Sequence, residues 1–209
     1  MLKRPRLPTR REPKQSRAHA TRGHILTAAS RALETEGHAV TMTRIAEVAG
    51  YSIGSLYQYY PDRRSLLCDL MVQESERTAA AVMQQMPSFQ TLPLEQGVAR
   101  IVTVLVEMAA SHRALTHALL RDVLPTSDPE SMEDLVPRFA SMLAAQLRLR
   151  PRDVRECNLE MAAFFVLNGV ESVIHATVLD HPQWLDDPGF CAELIHFVHG
   201  YLAAPPAPS

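Results

Sequence analysis

The chain has 209 residues, 46% hydrophobic and 21% charged, with only 8 glycines, which suits one large or two small globular domains and excludes disorder, collagen and a turn-rich all-β fold. Its net charge of −2 conceals opposed halves, because residues 1–68 hold 12 Lys/Arg against 5 Asp/Glu and residues 69–209 hold 9 against 18. Cys68, Cys157 and Cys191 are odd in number and far apart, as reduced thiols rather than disulfides or a zinc site would be, and the longest apolar run, Met161 to Val170, falls short of the roughly 18–20 residues that span a bilayer.

The amino end, residues 1–15, reads as a flexible basic arm. Lys3, Arg4, Arg6, Arg10, Arg11, Lys14, Arg17 and Arg22 face a single acid, Glu12, within the first 22 residues. Beside a DNA-binding motif such an arm suits phosphate or minor-groove contact. It lacks the unbroken apolar region of an export signal, so the expected location is cytoplasmic, with no membrane partner. No proline occurs between Lys14 and Tyr60, and Ile25, Leu26, Ala29, Ala32 and Leu33 make one stripe of a helix over residues 16–36, with Gly37 as its carboxy-terminal cap. Thr43 is placed to cap a short helix that buries Ile45, Ala46, Val48 and Ala49 and stops at Gly50. Ser52 then caps a second short helix with Leu56 inward and Ser55, Gln58 and Tyr59 outward. Two short helices across so tight a turn form a helix-turn-helix, whose second member enters the major groove.

The spacing of Thr43, Ile45, Ala46, Ala49, Gly50, Gly54, Ser55, Leu56, Tyr57, Tyr60, Pro61, Asp62, Arg63 and Leu66 resembles the TetR family of transcriptional repressors over residues 20–70. Tyr60 stands where that family more often has Phe, and Arg63 where it has Lys. The resemblance implies that Tyr60 packs beneath the reading helix, that Tyr57 bonds a phosphate through its hydroxyl, and that Arg63 sits near another. Gln58 and Tyr59 are the candidate base readers, a glutamine amide being able to pair bidentately with adenine. Thr43, Arg44, Ser52, Ser55 and Arg63 suit phosphate positioning, and Ile53 and Gly54 complete the DNA-facing set.

Beyond Leu70 the resemblance is one of architecture alone, and it implies a helical regulatory and dimerisation domain over residues 69–203 followed by a disordered tail, 204–209. Periodicity places helices at 62–86, 94–111, 112–123, 128–147 with a kink at Pro137, 152–179 and 188–202. The whole chain is therefore expected to be all-α. The last two helices form the expected homodimer interface, through Ala162, Gly169, Ser172, Ala176, Leu194, Val198 and Tyr201. Polar interruptions at Thr103, Glu107, His112, Thr116, His117, Arg121 and Asn168, with Met108, Phe139, Met142, Phe164 and Phe165 as walls, outline a small-molecule pocket. Glu193, His196 and His199 share helical spacing, but two ligands on an open face are not a metal site, and no cofactor is assigned. No Gly-x-Ser-x-Gly, phosphate loop or His-Glu-x-x-His motif points to an enzyme. The expected function is a dimeric regulator of operator DNA, a repressor released by a small-molecule effector. The alternative is a DNA-binding regulator without an inducer, controlled by abundance or a protein partner.

Overall fold

Gly37 and Gly50 are the two described residues with left-handed backbone, φ 76° and 73°, and each ends a helix. The computed structural model describes residues 12–123 and 135–204, which form nine α-helices and no strand. The arm residues Lys3, Arg4, Arg6, Arg10 and Arg11, the Asp128–Pro129 pair and most of the expected tail lie outside the described residues. α1 (Glu12–Glu36) starts four residues earlier than expected, because Pro13 falls in the first turn, where a missing N–H breaks no bond. Lys14 therefore belongs to the helix rather than to the arm.

α2 (Met42–Ala49) is capped by Thr41 and not by Thr43. The Thr41 hydroxyl accepts from the Arg44 N–H at 3.2 Å, and Thr43 is exposed within the helix. Val40 and Met42 are both buried, which draws residue 41 onto extended backbone and starts the helix at Met42, two residues earlier than a Thr43 cap would. Val48, expected inward, is exposed; Met42, Ile45 and Ala46 are the residues that bury. The Gly50 N–H closes on Ala46 and Glu47, Ser52 caps α3 (Ile53–Tyr59), and Asp62 caps α4 (Arg63–Thr91) by accepting from the Ser65 N–H at 2.7 Å.

α4 passes straight through Pro87, five residues beyond the expected end at Met86. The proline forfeits the bond to the carbonyl of Met83, a residue on the exposed face where water can take its place, and Phe89, fully buried two residues on, holds the last turn. α4 also runs unbroken across residues 68 and 69, so the domains expected to meet there share one continuous helix. α5 (Leu94–Ser111) returns antiparallel, with Gly97 so near α4 that a Cβ would stand 3.1 Å from Phe89 Cα. Buried Arg150 secures this corner by donating to the Phe89 and Leu92 carbonyls, two of the acceptors that the end of α4 leaves open, and to Asp153 at 2.8 Å.

α6 (Arg113–Asp122) and α7 (Leu135–Arg148) follow, and Pro137 lies in the first described turn of α7, where it interrupts no described helix. α8 (Leu159–Asp180) starts seven residues later than expected, capped by Asn158; residues 150–158 form a loop tied to the end of the chain by the Arg155 N–H to Leu202 carbonyl bond at 2.9 Å. A 3₁₀ turn, Pro182–Asp186, precedes α9 (Pro188–Leu202). α8 is long and apolar enough to cross a membrane by length and composition, with mean hydropathy 1.5, although no single apolar run in it reaches that length.

Two buried clusters result. The first gathers α1 to α3 and the start of α4 around Ile25, Leu33, Ile45, Leu56, Leu66 and Leu70, and it includes Leu115, Ala118 and Leu119 of α6 and its C-cap Val123. The second joins Phe89 to α5, α8 and α9 through Val98, Val102, Val170, Ile174, Leu194 and Leu202, and takes Leu120 of α6. α6 is thus shared between both.

Candidate nucleic-acid interface and internal cavity

α3 is seven residues long and fully buries one side chain, Leu56, which leaves most of the others on its outer side. Ser52, Ile53, Gly54, Tyr57 and Gln58 are exposed, Ser55 is half-buried with its hydroxyl 2.9 Å from that of Ser52, and Tyr57 keeps about half of its surface, 49%. Nothing lies within 4 Å of a Cβ built on Gly54, so packing does not demand glycine there. Tyr59, expected to face outward, is half-buried against the first core, because it occupies the turn that leads into buried Tyr60.

Tyr60 underpins this surface. Its ring is buried, its hydroxyl donates to Asp69 at 3.0 Å, and Arg22 both pairs with the same carboxylate oxygen at 2.9 Å and lies over the ring. Burial, the largest influence, pushes the hydroxyl up to about 12, so it remains a donor. Arg44 is exposed and bonded to Glu36 and Glu47. Arg63 does not point outward: its guanidinium donates to the Val40 and His38 carbonyls at 3.2 and 2.7 Å and to Asp122 of α6 at 2.5 Å. The α4 start turns it inward, where three acceptors converge, and it joins the reading domain to α6.

A cavity of about 340 Å³ lies among α4 to α9. Of the residues singled out from sequence, Met108, His112, Thr116, Phe139 and Met142 line it. Thr103 and Glu107 face a separate outer groove beside α4, and Thr103 meets Cys191 at 3.6 Å. His117 turns toward His38, with ring centroids 6.0 Å apart, and Arg121 is exposed. Phe164 and Phe165 are more than half exposed, and the Asn168 amide donates to the Phe164 carbonyl, so these three lie on the outer face of α8. The rotation of each helix, which spacing alone leaves open, separates the two groups.

Among the polar lining residues, the sequence reading missed Glu74, Ser75 and Thr78 of α4, and Glu171 and His175 of α8. A signal for the first set existed. Leu67, Met71, Ser75, Thr78, Val82, Met86 and Phe89 recur at three- and four-residue intervals, so Ser75 and Thr78 interrupt an otherwise apolar stripe. Burial holds His175 below the ordinary histidine value, partly opposed by the Glu171 carboxylate 3.9 Å away.

Residues 25–70 match the family described as bacterial regulatory proteins, tetR family, and residues 93–202 match the tetracyclin repressor-like C-terminal domain. The chain belongs to the TetR family of transcriptional regulators. The second match corrects the reading of the sequence, which found only architecture beyond Leu70. Similar to this TetR-family chain is an HTH-type transcriptional regulator of Mycobacterium bovis, 30% identical over 87% of this chain and 94% of the relative; one of Mycobacterium tuberculosis is 29% identical over the same shares. A tetR family regulator from Shewanella sp. PV-4 has a similar fold, with TM-score 0.64 at 17% identity, covering 88% of this chain and 99% of that one. RolR in complex with resorcinol gives TM-score 0.62 at 18% identity, over 93% and 98%.

On the outer surface of this TetR-family chain, α8 and α9 expose an apolar face. Met161, Phe164, Phe165, Val173, Leu179 and Phe197 are all 40% exposed or more, and the Phe165 ring meets Tyr201 edge-on at 6.3 Å. Ser172 and Ala176 lie exposed on the same face, whereas Ala162, Leu194 and Val198 are buried within the chain and cannot supply contact surface. Gly169 faces the Phe197 ring, 3.2 Å from a would-be Cβ, so its lack of a side chain serves α8–α9 packing.

Proposed function

We propose that the chain is a homodimeric, non-enzymatic cytoplasmic repressor that grips operator DNA with α3 and lets go when a small molecule fills the cavity. The observation that carries this reading is the placement of α6. Leu115, Ala118 and Leu119 belong to the core of the DNA-reading domain, while His112, Thr116 and Leu120 line the cavity, so a ligand that shifts α6 also shifts α3. Such a ligand must bind one of the two arrangements more tightly than the other. Tyr57, Ser52 and Ser55 supply phosphate contacts with the amino end of α3, Gln58 reads base edges, and Gly54 admits the backbone closely. The exposed α8–α9 face, centred on Phe165, Ser172 and Ala176, buries against its copy in a second chain, which two-fold operators require. An open cavity also favours this reading over a regulator without an inducer. The test is to select the operator from random duplex DNA and then screen small molecules for release. A chain that selects no sequence, or an operator complex that no cavity-binding molecule weakens, refutes it.

A further inference from the structure

The cavity has polarity along its length. α4 lines it from Met71 to Phe89, about 27 Å at 1.5 Å per residue. At one end three helices each bring a polar pair one turn apart: Glu74 and Thr78 of α4, His112 and Thr116 at the start of α6, and Glu171 and His175 of α8. The other end, where α4 meets α5 and α9, is apolar, with Met86, Phe89, Val98, Val198 and Leu202.

Charge at the polar end is one-sided. Among the described lining residues are two carboxylates and no Lys or Arg. Arg77 answers Glu74 at 2.6 Å from the solvent side, whereas among the described residues the ion-pair partner of Glu171 is the His175 Nε2 at 3.9 Å, beyond hydrogen-bond range. His112 turns its Nδ1 away to Glu34 of α1, at 3.4 Å. An anion would meet the Glu171 carboxylate here, itself about half exposed, while the guanidinium of Arg77 is already engaged by Glu74. A cation would pair with Glu171, and Phe139 in the same lining supplies an aromatic ring of the kind that attracts cations.

We infer that the cavity takes an elongated amphipathic cation, an apolar chain or fused ring system ending in a protonated amine or quaternary ammonium, with its head at Glu171 and Glu74 and its tail toward Phe89. This rests on the ligand-release reading and names the class of effector. The head then sits at the α6 end, beside the helix that the reading domain shares.

The experiment uses the full chain on its selected operator and three probes below their micellar range: decyltrimethylammonium, decanoate and 1-decanol. Calorimetry measures binding, and fluorescence anisotropy measures operator release. Decyltrimethylammonium should bind about tenfold more tightly than either of the others, and Glu171→Gln should remove most of that preference while 1-decanol binding stays unchanged. Glu74→Gln is the second variant should circular dichroism show the first to be unfolded. Equal or tighter binding of decanoate or 1-decanol, or a preference that survives both substitutions, overturns the cation assignment. If those probes nonetheless release the operator, ligand control stands without it; cation binding without release supports the ligand class and counts against the control; no binding by any probe overturns the ligand class and leaves control to the screen for release.

Discussion

Gly50 and Gly54 stand four residues apart and are glycine for different reasons. Gly50 has φ 73°, a conformation that costs an L-residue about 1–2 kcal/mol, so Gly50→Ala should lower unfolding stability by about that much in a urea titration. Gly54 lies in α3 with open space where a Cβ would go, so Gly54→Ala should leave stability unchanged within about 1 kcal/mol. It should nevertheless weaken operator binding, since in the proposed docking the added methyl would stand between the helix and the DNA backbone. A Gly54→Ala protein with full operator affinity would remove close backbone approach from the reading. Tyr57 and Gln58 separate along a second axis. Tyr57→Phe should reduce affinity by a similar factor across operator variants, because a phosphate carries no base identity, whereas Gln58→Ala should change the preferred base at one position. Competition binding across a panel of single-base operator variants distinguishes them, and an unaltered profile for Gln58→Ala would reassign base reading.

At the level of elements, the placement of boundary residues was legible where a cap or a stop was chemically obligatory. Gly37, Gly50, Ser52 and Asp62 act as their residue types require, and α5 and α9 begin and end where periodicity placed them. Thr41 displaced Thr43, since two threonines at that spacing are equally good caps and the burial of Val40 and Met42 decides between them. α8 adds a pH dependence. His175 is held below its ordinary value near 6.5 chiefly by burial, so the unfolded chain binds more protons than the folded one over that interval. Stability from this residue is present above about pH 6.5 and falls as the pH drops toward the lower folded value. Thermal unfolding between pH 7.5 and 5.5 should show that loss, and His175→Gln should flatten it. An equally steep loss in the variant would transfer the effect to other groups.

For the whole molecule, the exposed aromatic face of α8 and α9 makes a clear prediction about assembly. Phe165 keeps 54% of its surface and packs edge-on with Tyr201, so Phe165→Glu leaves the interior of the chain intact while placing a charge in the proposed two-fold contact. Sedimentation should show a folded monomer at concentrations where the parent is dimeric, with operator affinity lost although α3 is untouched. A dimeric Phe165→Glu protein would mean that the copies meet elsewhere. Gly169 is unsuited to this test, because a side chain there strikes Phe197 of the same chain first.

Local chemistry determined the all-α class, the helix-turn-helix and the family, because caps, a two-residue turn and a fixed run of small and aromatic residues act over distances of a few residues. Tertiary structure decided what each helix face meets. Arg63 reads as a phosphate ligand until Asp122, 59 residues away, appears beside it, and Phe164 and Phe165 read as cavity walls until the rotation of α8 turns them outward. Glu74, Glu171 and His175 enter one cavity only because α4 and α8 each pack against α6. Periodicity specifies that a helix has an apolar face; which neighbour covers that face, and where a polar residue on it ends up, depends on packing between segments far apart in the chain.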